Sequence, residues 1–257
     1  MKNSLNYLKK FWNYLWHDDS FGSYILNFLV AFVFIKYLFF PGIGLVLNND
    51  YPVVAIVSGS MEHKVAQHTI CNVHIAAIKS KNLDQEEWWG YCGEYYQKAY
   101  NQTLEDYKNF KYPNGLNIGD VMILYGKDPK DIEVGEVLVY EPRDLLKEDI
   151  PELGLKVGDS LFFNVNGPVI HRVTQKWTDE QGKIHFQTKG DHNPKAIGEK
   201  SMTIEVNGEL KTFTSDDFER DIGEDDIIGV AVLRFPLLGY AKVALTNGIQ
   251  NIKLIMG

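Results

Sequence analysis

Apolar positions follow three different rhythms along the chain. From Tyr24 to Leu47 they are nearly continuous: YILNFLVAFVFIKYLFFPGIGLVL carries one charge, Lys36. A bilayer is crossed by a helix of roughly 20 mostly apolar residues, so the run predicts a transmembrane anchor over 24–48. Lys36 is a cost there unless its stem snorkels or faces a partner helix. Pro41-Gly42 predicts a kink or an early helix end. A cleaved leader fits less well, because the run is long and no small-residue cleavage site follows it. Lys2, Lys9 and Lys10 precede the run, and only Lys64 follows within about twenty residues. That asymmetry predicts a single-pass protein of the cell membrane, with residues 1–23 cytoplasmic and 49–257 extracytoplasmic.

Beyond Tyr51 the rhythm shortens. VVAIV, DVMIL, EVLVY, SLFFNV, PVIHRVTQKW, KIHFQTK and GVAVLRF are short, β-branched runs bounded by Gly, Pro, Asn or Asp. Asn114-Gly115, Asn166-Gly167, Asn207-Gly208 and EQGK at 180–183 are turn signals. The pattern predicts a mainly β domain, an antiparallel barrel or sandwich of coiled sheets.

The third rhythm interrupts the strands. In DQEEWWGYCGEYYQKAYNQTLEDYKNF, residues 84–110, Trp88, Cys92, Tyr95 or Tyr96, and Ala99 fall at helical spacing. Thr103-Leu104-Glu105-Asp106 reads as a capping box opening a second short helix. A small α-helical insert over about 80–112 is expected, either a lid or docking surface or a helical pair packing its aromatics on the barrel; the packing role is favoured.

Composition narrows the function. A net charge of −8 without a Lys/Arg block argues against a nucleic-acid partner. Cys71 and Cys92 fit no metal-ligand spacing and could pair or remain free thiols. No cofactor motif is present.

Three polar sites could carry chemistry. Ser60, in VVAIVSGSMEH, follows a strand and a glycine that permits a sharp turn; a serine there is a nucleophile only if a base takes its proton, and otherwise an ordinary turn residue. His171, in GPVIHRVTQKW, shares a strand face with Val169, opposite Ile170 and Arg172; a neutral imidazole can serve as a general base or as a structural hydrogen-bonding group. Asp191, in TKGDHNPKAIGEK, ends a strand and could orient an imidazole or form an Asx turn. Nucleophile, base and orienter in that order match the roles of a catalytic triad.

Taken together, five blocks resemble the type I signal peptidases in their archaeal and eukaryotic-like, Ser-His form. They are the anchor followed by YPVVAIVSGSMEH; GLNIGDVMILYG with DIEVGEVLVYEP; GPVIHRV, where the bacterial branch has lysine; TKGDHNP; and IIGVAVLRFPLLGYAKV. They span about residues 22–245 in the family's order. The resemblance implies a signal-peptidase-like coiled β-sheet barrel with an N-terminal transmembrane helix. It implies Ser60 as nucleophile, His171 as general base, Asp191 as its orienter, and Ser58 lending its hydroxyl to the oxyanion hole. A second aspartate often found six residues after the first is Ile197 here, with Glu199 displaced by two, so the third member could be Asp191 or Glu199. The implied activity is cleavage of signal peptides from exported preproteins after small residues, as in A-x-A, by a membrane-anchored serine endopeptidase without a cofactor. Its partners would be signal peptides, membrane lipid and the translocation machinery. The alternative is a non-catalytic, membrane-tethered subunit of an export complex that keeps the fold. LRFPLLGY, 233–240, is expected either to dip into the membrane interface or to end a core strand.

Overall fold

The computed structural model describes residues 2–142, 150–156, 167–196, 201–214 and 222–239. The chain divides into two compact units, Met1–Pro52 and Val53–Gly257.

The first unit is helical. Helix α1, Lys2–His17, is followed by α2, Phe21–Phe34, a π-turn over Ile35–Phe39, and α3, Phe40–Leu47. Phe21–Leu47 is thus one helix of 27 residues, long and apolar enough to cross a membrane, with none of its most apolar stretch buried by protein. Pro41 does not end it: the helix runs on to Leu47, past the early end that Pro41-Gly42 suggested. The wider π-turn lies immediately before the proline, and such a turn re-routes backbone bonds around a missing donor. Asn48, in the left-handed conformation, closes the helix one residue beyond Leu47. Lys36 extends over the rings of Phe32 and Tyr37, 5.8 and 5.2 Å from their centroids.

The second unit is mainly β. Its strands are β1 Val53–Ala55, β2 Lys64–Ala66, β3 Thr69–Ile70, β4 Val73–His74, β5 Ser80–Asn82, β6 Val121–Tyr125, β7 Val137–Tyr140, β8 Val169–Thr178, β9 Ile184–Lys189, β10 Ser201–Val206, β11 Glu209–Thr214, β12 Ile222–Gly223 and β13 Ile227–Phe235. The principal sheet has seven antiparallel strands in the order β1-β6-β13-β7-β8-β9-β12. The barrel foreseen in the sequence is therefore a curled, open sheet among the described strands, with β1 and β12 at its edges. Register shifts in β8 and β13 mark bulges, which add bend and twist.

Central strand β7 is buried on both faces. Val137 and Val139 enter a core with Ile56, Met61, Leu116 and Met122, while Leu138 and Tyr140 enter a second with Val173 and Phe186. Successive strand side chains point to opposite faces, so one strand feeds both cores. This is why EVLVY reads as a continuous apolar run rather than an alternating one. Asn207-Gly208, both at positive φ, joins β10 to β11 as a two-residue hairpin turn. SLFFNV and Asn166 lie outside the described residues.

The insert is α4, Gln85–Tyr100, and α5, Leu104–Lys108. Each opens with a reciprocal capping box: Asp84 with Glu87, and Thr103 with Asp106. Its aromatics are interior: Trp88, Tyr96 and Tyr107 are fully buried and share a cluster with Val65, Ile70 and Leu83. The aromatics are packed inside, as the favoured role requires, but their cluster is shared with strands β2 and β3 rather than with the seven-stranded sheet. A four-stranded sheet of order β4-β3-β2-β5 leads into it. Cys71, after β3, is disulfide-bonded to Cys92 of α4.

Removing that bond by Cys71→Ala with Cys92→Ala should lower unfolding stability by about 3 kcal/mol, because it closes a loop of about 20 residues in the unfolded chain. Denaturant unfolding of the variant beside the oxidised protein checks this; unchanged stability would deny the bond that role.

Candidate active site

Strand β1 leaves the sheet at Val57. Two backbone bonds fix its exit: Ile56 N–H to Asp120 O and Gly119 N–H to Ile56 O, both 2.9 Å. The chain then turns through Ser58-Gly59-Ser60, with Glu62 N–H donating to Gly59 O at 3.0 Å. Ser58 is exposed and Ser60 half-buried, and their hydroxyl oxygens are 3.4 Å apart. Buried Met61 and the bond from Leu116 N–H to its carbonyl, 2.9 Å, root the far side of the turn in the core.

His171 lies on β8, opposite Leu138 of β7, and is almost fully buried. Its Nδ1 is 3.4 Å from the Tyr140 hydroxyl, which is 2.9 Å from Thr188 Oγ1. Its Nε2 faces the other way, toward Gly190. A Cβ placed on Gly190 would lie 2.9 Å from this Nε2, 2.7 Å from the Ser60 carbonyl oxygen and 2.8 Å from Asn193 Nδ2. The serine turn and the imidazole therefore converge over one glycine, which must lack a side chain to admit them both. His192 N–H donates to Ser60 O at 2.8 Å, stitching the turn after Gly190 to the serine turn.

Asp191, fully buried, faces a different set of groups. Arg172 grips its carboxylate with two bonds, Nε to Oδ1 at 3.0 Å and Nη2 to Oδ2 at 2.8 Å. His63 Nε2 is 3.2 Å from Oδ2, and Tyr96 OH donates to Oδ1 at 3.3 Å. Arg172 uses its remaining three N–H groups on the carbonyls of Lys111, Gly135 and Tyr112, and its guanidinium lies over the Tyr107 ring. All five guanidinium donors are thereby satisfied. Gly135 makes one of these bonds possible: its φ is +92°, and a Cβ there would strike the Phe110 ring. Lys189, also buried, donates to Gly190 O at 3.1 Å and lies over the Tyr96 ring.

Charge states follow from these contacts. Burial works to raise the Asp191 carboxyl, but Arg172 and then His63 outweigh it and hold the group well below the usual carboxylate range. Burial pushes His63 down, aided by the Arg172 and Lys189 charges and opposed by Asp191. Burial thus favours the neutral imidazole at His63, with Nε2 placed to donate to Asp191. The ring stacks on Trp88 at 4.0 Å between centroids. Burial raises Tyr96 and Tyr107 well above the ordinary phenol value, so both are donors rather than phenolates.

Sequence reasoning singled out Ser60, Ser58, His171 and Asp191, and passed over His63, Arg172, Lys189 and Tyr140. For Arg172 and Lys189 a signal was present: HR and TKG put cations inside strands, and a cation buried there demands partners. Ile197 and Glu199 lie outside the described residues. Among the described residues, no group of three or more His, Cys, Asp or Glu could hold a metal ion.

Comparison with known proteins finds chains of similar sequence. The chain is 26% identical over 130 residues to the signal peptidase complex catalytic subunit SEC11 of Tuber melanosporum, covering 49% of this chain and 63% of that protein. For the protein of the same name from Komagataella phaffii, the match is 23% over 215 residues, 82% of this chain and 76% of the relative. The chain is similar to signal peptidase catalytic subunits. A third, from Sclerotinia sclerotiorum, is 30% identical over 130 residues and again covered to 63% of its length; the chain thus spans a little under two thirds of that relative and of the one from Tuber. No family model matches it. These signal peptidase relatives are eukaryotic, and they lend no support to the archaeal part of the resemblance.

Acid should destabilise the second unit in two stages. The folded values of His63 and Asp191 are both depressed, so each contributes stability that is complete above its unfolded value and lost as pH falls toward its folded one. Loss should begin below about pH 6.5 through His63 and deepen below about pH 4 through Asp191. Unfolding followed from about pH 7 to 5 should show the first stage. His63→Gln should flatten it, and an unaltered slope would show that His63 is not the group responsible.

Proposed function

We propose that the chain is a membrane-anchored serine endopeptidase that removes N-terminal signal peptides from exported preproteins, with Ser60 as nucleophile and His171 as general base. One observation carries the reading: His171 Nε2 and the Ser60 turn meet over Gly190. A base acting through Nε2 needs its proton on Nδ1. Tyr140 is suited to hold that tautomer, accepting from Nδ1–H while donating its own proton to Thr188. It is a positioning residue rather than a catalytic one.

The substrate's cleavage region would lie extended beside an edge strand, with small residues at the first and third positions before the scissile bond, as in A-x-A. Ser60 Oγ attacks the scissile carbonyl carbon as its proton passes to His171 Nε2. The Ser60 backbone N–H and the Ser58 hydroxyl, beside Ser60 Oγ, would donate to the oxyanion; such donors are worth about 10²–10³ in rate. The C–N bond then breaks, the leaving amine takes the proton from Nε2, and water releases the acyl group by the same route in reverse. Asp191 serves this reading through the backbone. Its clamp to Arg172 fixes the Gly190–His192 turn, and His192 N–H holds the Ser60 carbonyl. The anchor would be residues 24–48, with the N-terminal segment cytoplasmic and 49–257 extracytoplasmic. Lipid and the translocation machinery would be its partners. Leu233, Phe235, Leu237 and Leu238 are exposed, which favours membrane contact over a core role for that segment.

The alternative, a non-catalytic export subunit with the same fold, draws on the engagement of Asp191 by Arg172 and His63.

The test uses detergent-solubilised protein and a preprotein bearing an A-x-A site. Ser60→Ala and His171→Ala should each cut kcat by at least about a thousandfold; undiminished cleavage by either would refute the reading, and an inactive wild type would favour the non-catalytic one. Tyr140→Phe should lower kcat about tenfold to a hundredfold with KM unchanged. A change confined to KM, or none, would remove Tyr140 from its role.

A further inference from the structure

Helix α1 has no place in the reading above, yet its surface is sharply divided. Turning 100° per residue, Asn6, Lys9, Lys10, Asn13 and His17 fall on one side. Tyr7, Phe11, Trp12, Tyr14, Leu15 and Trp16 fall on the other. Leu15 is buried, but Tyr7 is 75% exposed, Phe11 50%, and Trp12 and Trp16 60% each. A soluble helix hides such a face. Residues 1–17 carry Lys2, Lys9 and Lys10 and no Asp or Glu; Asp18 and Asp19 follow in the turn.

That turn is built as a fixed elbow. Asp18 Oδ1 accepts from Ser20 N–H at 2.8 Å, and Ser20 Oγ accepts from Ser23 N–H to cap α2. From α2, Ser23 Oγ donates to Tyr14 O at 2.7 Å and Asn27 Nδ2 donates to Leu15 O at 2.6 Å. Two of the last four carbonyls of α1, which have no partners within their own helix, those of Tyr14 and Leu15, are therefore satisfied by polar side chains on the first two turns of α2. The arrangement also sets a level. Ser20, Ser23 and Asn27 mark the polar end of the long helix, and the residues from Phe28 to Leu47 then measure about 30 Å, the thickness of the hydrocarbon core. The elbow holds the end of α1 at the polar boundary of that span.

We propose that α1 is an interfacial helix. It lies in the plane of the membrane at the N-terminal end of the span, with its aromatic face among the acyl-chain boundary and Lys9 and Lys10 toward anionic headgroups. Aromatic residues favour that zone, and an amphipathic helix with lysines on its polar face binds there by apolar burial plus attraction to anionic lipid. Continuity with the membrane-crossing helix and the unopposed lysine charge single out a lipid surface over a second protein. The inference is independent of the chemistry at Ser60.

The test places the full chain in nanodiscs of phosphatidylcholine, with or without phosphatidylglycerol. Spin labels go on single substitutions, Tyr7→Cys, Lys10→Cys, Phe11→Cys and Asn13→Cys, the native cysteines being joined to each other. Retained far-UV circular dichroism confirms folding of each variant. Labels at 7 and 11 should be accessible to oxygen and shielded from a water-soluble nickel chelate, and labels at 10 and 13 the reverse. The contrast between 7 or 11 and 13 should strengthen several-fold with phosphatidylglycerol, and Lys9→Glu with Lys10→Glu, added to the labels at 7, 11 and 13, should abolish the gain. Chelate access at all four positions would overturn the proposal by placing α1 in water. Shielding of 7 and 11 from both probes would overturn it in favour of a protein partner or second copy. A contrast indifferent to lipid charge would overturn the anionic preference.

Discussion

A buried guanidinium organises the second unit. Arg172 is removed from water entirely, a state costing several kcal/mol unless every donor is met. Two of its N–H groups hold Asp191 and three hold backbone carbonyls from two separate loops. A planar five-donor fork can do this; a lysine ammonium, with three donors around one point, could not. Because Arg172 is next to His171 on β8, the residue that fixes the Asp191 turn and the imidazole facing Gly190 share one rigid strand.

The helical insert follows from the same constraint. Lys111 and Tyr112, just beyond α5, supply two of the carbonyls, Tyr107 supplies the ring beneath the guanidinium, and Tyr96 donates to Asp191. The insert thus walls the charge cluster from solvent. β8 and β9 also place Arg172 opposite Lys189 in register, a pairing of like charges that is unfavourable by itself. Asp191, the Gly190 carbonyl and the tyrosine rings offset that repulsion.

How far the site was legible depended on the range of the interactions. The strands at 121–125, 137–140, 169–178 and 227–235, the capping box at Thr103 and the packed aromatics of the insert all rest on local periodicity or turn chemistry, and these could be read directly. The strands between Lys64 and Asn82 are two or three residues long and mostly polar, so no periodicity betrays them. Ser60 and His171 were candidates from their settings and took their roles from the resemblance, and their meeting over Gly190 is a tertiary fact. His63, a further partner of Asp191, was hidden for the same reason: it is 128 residues away, and nothing local distinguishes it from a solvated histidine. The π-turn that carries the long helix on to Pro41 and beyond was equally out of reach, because such a turn leaves no mark in composition.

The central claim is that Arg172 and Asp191 act as one unit. A double-mutant cycle on unfolding free energy with Arg172→Gln and Asp191→Asn tests it most directly. Each single change should cost about 3–5 kcal/mol by stranding its partner, and the double variant should be little worse than either. A double variant whose loss equals the sum of the two would contradict the account.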